Sequence, residues 1–447
     1  MAEAGPRLVP LAFALGLANL SHIAIAATDL VMIGWLGPAE LAAASLASHL
    51  FYLPLFCLLG FVGGAGAPLA RLLGAGDLEG ARGTVTALAA VAGVLLLPIL
   101  ALSVSGEALL LSVGQEQGLA VAAGPYLAWL AWSSPFIAVF AALWTTAAVR
   151  GHAAAVSRIS LLAIPVNAAG NALFMFGLLG LPELGLVGAG VATLLTVLLK
   201  MLVLLFWLYR RGALAGLLGG WRLAGLRRHL TEVLSYGAPM AVLEGATMGF
   251  FAAIAMMTGL LGAAALAANA IALQAAEVGI AFLFGIGEAA TIVIAFHRGQ
   301  ENAARFRQAI RQALVAALAV SALYGGFLAL ARGPLVALVL EPGAPFAAET
   351  AALAQLVLLF AAASLPLDCG RIALVGILRG LGDARWPAGI AILGLWSVGI
   401  PVAAWLSLGQ GAGLAGIWTG MLVAMALVSA ALFQRLRRVL KQERIVP

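Results

Sequence analysis

Charged residues are scarce in this sequence. Only 9% of its 447 residues are Asp, Glu, Lys or Arg, whereas soluble proteins carry about 25%. Hydrophobic residues make up 64% of the chain, and the mean hydropathy is +1.09. Apolar runs long enough to cross a membrane, about 20 residues each, recur along the whole chain. This pattern excludes a soluble protein and also a transmembrane β-barrel, whose strands alternate in short segments. It predicts an all-α polytopic membrane protein.

Cysteine is rarer still, with two residues in the chain. Cys57 and Cys369 lie in separate apolar stretches, which excludes a disulfide framework and leaves no metal-ligand spacing. Neither paired aspartates nor a serine with a nearby base stands out at helix depth, so we expect no enzyme and no cofactor other than a coupling ion. The first apolar run has no convincing cleavage site, and we expect it to be retained as a helix.

Hydropathy predicts about twelve spans. A basic connection at 210–231 is expected to link an N-terminal lobe of six helices, residues 1–209, to a C-terminal lobe, residues 232–447, that ends in a basic tail. The predicted limits are 8–36, 41–70, 84–104, 119–148, 157–178, 185–209, 232–258, 264–296, 308–331, 350–378, 387–407 and 412–434.

Arginine is concentrated in alternate loops and in the C-terminal tail, whereas the opposite loops carry Arg332 and several glutamates. The positive-inside rule therefore predicts that both termini are cytoplasmic. We expect these basic loops to face anionic lipid and not nucleic acid. Lys200 is expected to extend its side chain towards the cytoplasmic interface.

The two halves of the chain resemble each other. A shift of 225 residues superposes Gly34 on Gly259, Gly37 on Gly262 and Gly60 on Gly285. Each predicted half has an even number of spans, so the copies share one orientation. Repeats of this kind are related by an axis along the membrane normal and enclose the substrate site between them. We therefore expect two pseudo-symmetric lobes.

Five carboxylates interrupt the apolar spans: Asp29, Glu244, Glu277, Glu288 and Asp368. A charge near the bilayer centre costs at least about 2.5–3.5 kcal/mol, and such residues usually mark an ion, proton or substrate path. The sequence thus indicates a membrane protein that handles cations or protons.

Asp368 follows Pro366 by two residues and precedes Arg371 by three. The proline leaves one backbone carbonyl without its helical donor, and a carboxylate beside a free carbonyl would suit a proton or a hard cation. The alternative is an ion pair with Arg371, one turn away on the same face. The two readings are compatible. We expect Asp368→Asn to abolish coupled transport and to leave the fold intact.

The N-terminal half offers a second polar cluster. His22 lies two turns before Asp29 on one face of span 1, and Asn167 and Asn171 share a face of span 5. Asp29 could titrate within a shell of asparagines. Polar residues that hold membrane helices together are the alternative, and His22 in particular could be a packing residue.

Three glutamates complete the candidate set. Glu244 lies near the middle of span 7 with no basic neighbour in sequence. Glu277 and Glu288 are about three turns apart on one face of span 8, as a cation path requires. Glu288 lies nearer the cytoplasm, where it could face water.

Several segments resemble signatures of the multidrug and toxic compound extrusion (MATE) family, in its bacterial branch. DLVMIGWLGPAELAAASLA resembles the first-helix signature, and Asn167 and Asn171 followed by GLLGLPELGLVGAGVAT resemble that of helices five and six. LAANAIALQ with GIGEAATIVIAFHRGQ resembles the seventh and eighth, and Asp368 with GILRGLGD the tenth. The order and spacing of these segments are more specific than any one of them.

The resemblance implies twelve helices in two lobes and export of amphipathic, often cationic, compounds in exchange for H⁺ or Na⁺ across the bacterial inner membrane by a monomer. Asp29, Asn167 and Asn171 match the N-lobe polar site, and Asp368 the C-lobe cation site, where Na⁺ at Asp368 and Glu244 is one expectation. A lipid-linked oligosaccharide flippase of the same superfamily is the alternative; it would need a basic cavity.

Three departures from the family pattern favour protons. Glu244 falls one turn before the usual glutamate, where this chain has Thr247. Ser364 replaces a tyrosine, and Arg371 occupies a position that is usually neutral.

Overall fold

The computed structural model describes residues 5–112, 114–217, 226–340 and 347–442. Within these ranges the chain is helical and contains no strand. Twelve helices are long and apolar enough to cross a membrane, which confirms the predicted fold class. They are α1 Leu8–Gly34, α2 Pro38–Gly74, α3 Leu78–Ser112, α4 Gln117–Val149, α5 Ala153–Met175, α6 Gly185–Arg210, α7 Leu226–Gly259, α8 Ala263–Gly299, α9 Ala303–Val339, α10 Ala347–Gly380, α11 Arg385–Gly409 and α12 Gly413–Gln442.

Several helices extend past their predicted ends, because a helix continues into polar residues that hydropathy assigns to loops. Span 3 was predicted at 84–104, whereas α3 is the 35-residue helix Leu78–Ser112. Prolines lie inside several of the helices without ending them, Pro366 of α10 among them. In α11 the hydrogen bonding changes to the wider π pattern at Leu395–Gly399 and again at Trp405–Gly409.

The chain divides into two compact units. The first unit contains Leu17–Gly245, and the second contains Arg7–Gly16 and the chain from Ala246 onwards. The start of α1 therefore belongs to the second unit, and the start of α7 to the first. This division differs from the limits predicted for the lobes, 1–209 and 232–447, and part of the predicted connection 210–231 lies outside the described residues.

Gly60 and Gly285, which correspond in the sequence repeat, make similar helix-packing contacts. A Cβ added to Gly60 of α2 would lie 2.8 Å from the Met240 carbonyl oxygen in the first half of α7, within the first unit. One added to Gly285 of α8 would lie 2.7 Å from the Ala12 carbonyl oxygen at the start of α1, within the second unit. Small residues let membrane helices approach closely, and both repeats use the same position to do so.

Candidate functional site

Asp29 lies at the centre of a hydrogen-bonded group in the first unit. The amide nitrogen of Asn171 on α5 donates to Asp29 Oδ1 at 2.6 Å, and the Thr193 hydroxyl on α6 donates to Oδ2 at 3.5 Å. Asn171 also donates to Asn167 Oδ1 at 3.5 Å. Three helices thus meet at one partly buried carboxylate. We call Asp29, Asn167, Asn171 and Thr193 the acidic level.

Two amide atoms of the acidic level have no partner. Asn167 and Asn171 are fully buried, yet Asn167 Nδ2 and Asn171 Oδ1 make no hydrogen bond to any described residue. A buried polar group without a partner costs about 1–3 kcal/mol, and native proteins leave few of them. Unmet donors and acceptors beside a carboxylate are suited to a ligand, an ion or a proton with its water.

His22, which the sequence placed on the Asp29 face, makes its ring contact elsewhere. It is exposed, and its ring centroid lies 6.0 Å from that of Trp144 on α4. The expectation that Lys200 reaches the interface is wrong. Lys200 is only 4% exposed, and its ammonium lies 4.4 Å from the Phe140 ring centroid.

Asp368 forms an ion pair with Arg371 in the second unit. Arg371 Nε lies 2.7 Å from Asp368 Oδ1, and the two side chains are 6% and 4% exposed. The pair predicted as an alternative is therefore present, and it gives this buried carboxylate a counter-charge from its own helix.

The carbonyl released by Pro366 belongs to Ala362, four residues earlier. It packs against α9, because a Cβ added to Gly325 would lie 2.9 Å from its oxygen. Among the described residues there is no group of three or more His, Cys, Asp or Glu side chains that could hold a metal ion. The Na⁺ site at Asp368 and Glu244 therefore stays a prediction, and the ion pair with Arg371 does not favour it.

Glu244 packs against α2 within the first unit. A Cβ added to Gly60 would lie 2.7 Å from the Glu244 Cγ. A Cβ added to the neighbouring Gly245 would lie 2.8 Å from the Cys57 sulfur. Glu244 belongs to the first unit and Asp368 to the second.

Glu277 and Glu288 occupy different environments on α8. Glu277 is exposed and accepts a hydrogen bond from Gln274 Nε2 at 3.1 Å, one turn earlier. Glu288 is partly buried. Their shared role in a cation path stays a prediction.

Thr193 is the site residue that sequence reasoning missed. Threonine is common in membrane helices, where its hydroxyl usually bonds to the carbonyl four residues back, as Thr258 does in α7 at 2.8 Å. Only the packing of α6 against α1 distinguishes Thr193 from the other threonines.

Comparison with known proteins identifies the family. The family model described as MatE matches residues 14–173 and 239–405. The probable multidrug resistance protein NorM of Mesorhizobium japonicum is 34% identical, over 98% of this chain and 94% of that protein. The multidrug resistance protein NorM of Burkholderia vietnamiensis is 33% identical, over 95% and 92% respectively.

Solved structures share the fold. The eukaryotic MATE transporter AtDTX14 superposes with a TM-score of 0.85 at 19% identity, covering 98% of both chains. A mutant of the Vibrio cholerae MATE transporter VcmN superposes with a TM-score of 0.89 at 19% identity, covering 98% of this chain and 97% of that one. The resemblance read from the sequence is confirmed: the chain belongs to the MatE family of multidrug efflux transporters.

Proposed function

We propose that this protein exports amphipathic organic cations in exchange for protons, with both termini in the cytoplasm of a bacterial cell. Relatives of similar length named for multidrug resistance support the substrate class. The acidic level of the first unit is the observation that carries the proposal.

Asp29 has the properties of an exchange site. In the described part of the chain its carboxylate accepts hydrogen bonds from neutral donors, Asn171 at 2.6 Å and Thr193 at 3.5 Å. Its negative charge is therefore not cancelled within the group, and it attracts a cation in a medium of low dielectric constant. A proton and an organic cation compete for the same charge, so binding of one favours release of the other.

The donor geometry favours protons over Na⁺ at Asp29. Both carboxylate oxygens already face a hydrogen-bond donor, and donors orient hydrogens towards the place where a metal ion would bind. Hard cations need several oxygen ligands. A proton needs only one free lone pair on the carboxylate.

Asp368 is the weaker coupling candidate because Arg371 neutralises it at 2.7 Å. Breaking a buried pair leaves an uncompensated charge, which costs about 3–5 kcal/mol. A transport cycle that separated Asp368 from Arg371 would have to overcome that free-energy cost at each turnover. Asp29 can bind a cation without first losing an ion pair.

Transport then follows from differential affinity. A ligand shifts a conformational equilibrium only by the difference between its affinities for the two states. We propose that protonation stabilises the inward-open state and that the bound organic cation stabilises the outward-open state, so that each ligand drives the change after which the other can bind. The coupling is reciprocal by linkage.

The test is ethidium uptake into proteoliposomes sorted for the inside-out orientation, under an imposed gradient of protons or of Na⁺. We expect accumulation when the lumen is acidic and none when it only contains Na⁺. Accumulation driven by internal Na⁺ alone would contradict proton coupling. No movement under either gradient would contradict the organic-cation proposal and favour the lipid-linked flippase.

A further inference from the structure

An open cavity of about 740 Å³ lies where α2 ends and α7 begins, within the first unit. The positive-inside rule assigns this side of the protein to the cytoplasm. The cavity is lined by Arg71, Arg227, Arg228, Thr231, Glu232 and Ser235. Three arginines and one glutamate give it an excess of two positive charges. No residue of the acidic level lines it, so it is a separate place on the molecule.

Close packing of α2 and α7 holds the walls of the cavity in place. A Cβ added to Gly64 of α2 would lie 2.7 Å from the Tyr236 carbonyl oxygen of α7. Nearer the cavity, the Arg71 guanidinium donates to Glu232 Oε1 at 2.8 Å. Val233 is fully buried in the core of the first unit. The apolar face of α7 is thereby fixed inward, and its polar face lines the cavity.

Arg227 and Arg228 are the cations of the cavity that have no counter-charge. Both are exposed, and no described residue forms a hydrogen bond or an ion pair with either guanidinium group. Arg82, on the same side of the first unit, is engaged instead, since its Nε donates to the Gly216 carbonyl oxygen at 3.1 Å. An unengaged guanidinium group binds phosphate oxygens through charge-assisted, often bidentate, hydrogen bonds. The cavity therefore suits a phosphate group.

The depth of the cavity matches the headgroup layer of a bilayer. The apolar span predicted for α7 begins at residue 232, and Arg228 and Arg227 precede it by four and five residues. At 1.5 Å per residue, that distance is about 6–7.5 Å. The headgroup layer on each side of the hydrocarbon core is about 5–7.5 Å thick. Arg71 directly follows the apolar span predicted for α2, so all three arginines lie at the level of lipid phosphates.

One exposed face of α7 changes from basic to apolar as the helix leaves this layer. The exposed residues recur every three or four positions, which places them on one face; they are Arg227, Thr231, Leu234, Ala238 and Val242. Leu234 is 44% exposed and Val242 is 59% exposed. A phospholipid has the same order of groups, with its phosphate at the interface and its acyl chains deeper. A soluble phosphate would use only the basic end.

We propose that this cavity binds the phosphate of an anionic phospholipid, held by Arg227 and Arg228, with an acyl chain along Leu234 and Val242. Basic pockets between membrane helices on the cytoplasmic side are suited to such headgroups. Glu232 opposes the bound anion and keeps Arg71 engaged, so it limits the affinity. The site is independent of the compound that is exported.

Native mass spectrometry of the purified full-length protein in neutral detergent counts the lipid molecules that the protein retains. The probes are phosphatidylglycerol and a phosphatidylcholine with the same acyl chains, whose own ammonium group cancels the phosphate charge. We expect the first phosphatidylglycerol to bind the wild-type protein about tenfold more tightly than phosphatidylcholine, because two basic residues attract its net charge.

Removing both arginines should abolish this preference. Arg227→Gln combined with Arg228→Gln should raise the Kd of phosphatidylglycerol about tenfold and change that of phosphatidylcholine by less than about twofold. The matched control is Arg210→Gln combined with Arg211→Gln at the end of α6. It removes the same charge from the same side of the first unit, but neither arginine lines the cavity, and both guanidinium groups lie over aromatic rings of their own helix. The control should keep the wild-type preference.

Glu232→Gln tests the site in the opposite direction. It removes the acid of the cavity and releases Arg71, so phosphatidylglycerol should bind about fivefold more tightly, the effect of about one added basic residue. A variant that only disturbed the fold would bind the lipid less tightly. The direction of this change therefore keeps the proposal testable even if the double arginine variant folds poorly.

Several results would overturn the lipid site. Equal loss of phosphatidylglycerol in the two double variants would assign its binding to general surface charge. Equal affinities of the wild-type protein for the two lipids, or weaker binding of phosphatidylglycerol by Glu232→Gln, would also contradict the proposal. Displacement of phosphatidylglycerol by millimolar inorganic phosphate would identify a soluble anion as the occupant in place of a lipid. None of these results bears on proton-driven export, which ethidium uptake tests separately.

Discussion

Each of the two units holds an aspartate on a membrane helix, partly buried in the first unit and buried in the second, and the two carboxylates have different kinds of partner. Asp29 in the first unit receives hydrogen bonds from neutral side chains on two other helices. Asp368 in the second unit is paired with Arg371 one turn along its own helix. A carboxylate held by neutral donors stays available to a cation from outside the protein. One held by a guanidinium already has a cation as its partner. We therefore propose that the aspartate serves binding in the first unit and structure in the second.

The other buried polar side chains show the same contrast between the two units. Buried side-chain atoms without a partner in the described chain are concentrated in the first unit, and the second contributes only Ser407 among them. In the second unit Trp418 donates to Asn269 at 3.0 Å, and Thr291 donates to the Gly376 carbonyl at 2.9 Å. Polar groups that are fully paired make a helix bundle rigid. Unpaired ones are where a transported species gains most from binding.

The largest expected effect tests this contrast at Asp29. Asp29→Asn keeps the size and hydrogen-bonding capacity of the side chain and removes its charge. Proton-driven ethidium uptake into proteoliposomes should fall to the level of protein-free liposomes, while the thermal unfolding midpoint changes little. Substantial proton-driven uptake by folded Asp29→Asn protein would show that the coupling charge lies elsewhere.

The corresponding substitution in the second unit, Asp368→Asn, should mainly lower the stability of the protein. Asp368→Asn leaves Arg371 as a buried charge without its counter-charge, which costs about 3–5 kcal/mol. We therefore expect a lower free energy of unfolding, measured by thermal denaturation in detergent, in place of the intact fold expected from the sequence.

A compensating substitution separates structure from coupling. Apolar replacements of a whole buried ion pair are often neutral or stabilising, so Asp368→Leu combined with Arg371→Met should recover the stability. If the double variant also recovers transport, the pair is structural. A stable double variant without transport would instead return Asp368 to the coupling mechanism.

The sequence predicted the twelve spans because long apolar runs have few alternatives in a membrane. It also placed Asn167 and Asn171 together, since residues four apart share a helix face. It could not bring Thr193 to Asp29, because the two residues are 164 positions apart and their contact depends on how two helices pack.

The sequence spacing also could not decide whether Asp368 pairs with Arg371. A separation of three residues allows an ion pair but does not require one, and only the rotamers of Asp368 and Arg371 settle it. Lys200 was misjudged because the rule for long side chains near a helix end was applied ten residues from the end of α6. At that depth, about 15 Å from the end, the side chain is too short to reach the interface.

Close helix packing should matter most in the second unit, where nearly all buried polar side chains of the described chain are paired. A Cβ added to Gly376 of α10 would lie 2.1 Å from the Gly287 carbonyl oxygen of α8. Gly376→Ala therefore forces the two helices apart and should destabilise the protein by about 1–3 kcal/mol. Gly326→Ala on α9 is the matched control, because nothing lies within 4 Å of its added Cβ. Equal thermal unfolding midpoints for the two variants would argue against this packing.

The smallest effects should come from the two donors of Asp29, graded by their distances. Asn171→Leu removes a 2.6 Å hydrogen bond to a carboxylate, and such bonds contribute about 1.5–3 kcal/mol. We expect kcat/KM for proton-driven ethidium transport to fall about tenfold, since 1.4 kcal/mol corresponds to a factor of ten. Thr193→Val removes a contact of 3.5 Å, near the limit of a hydrogen bond, and should lower kcat/KM by less than about twofold. The reverse order would mean that Asp29 turns towards Thr193 during transport, so that the acidic level is rebuilt around α6 when the substrate binds.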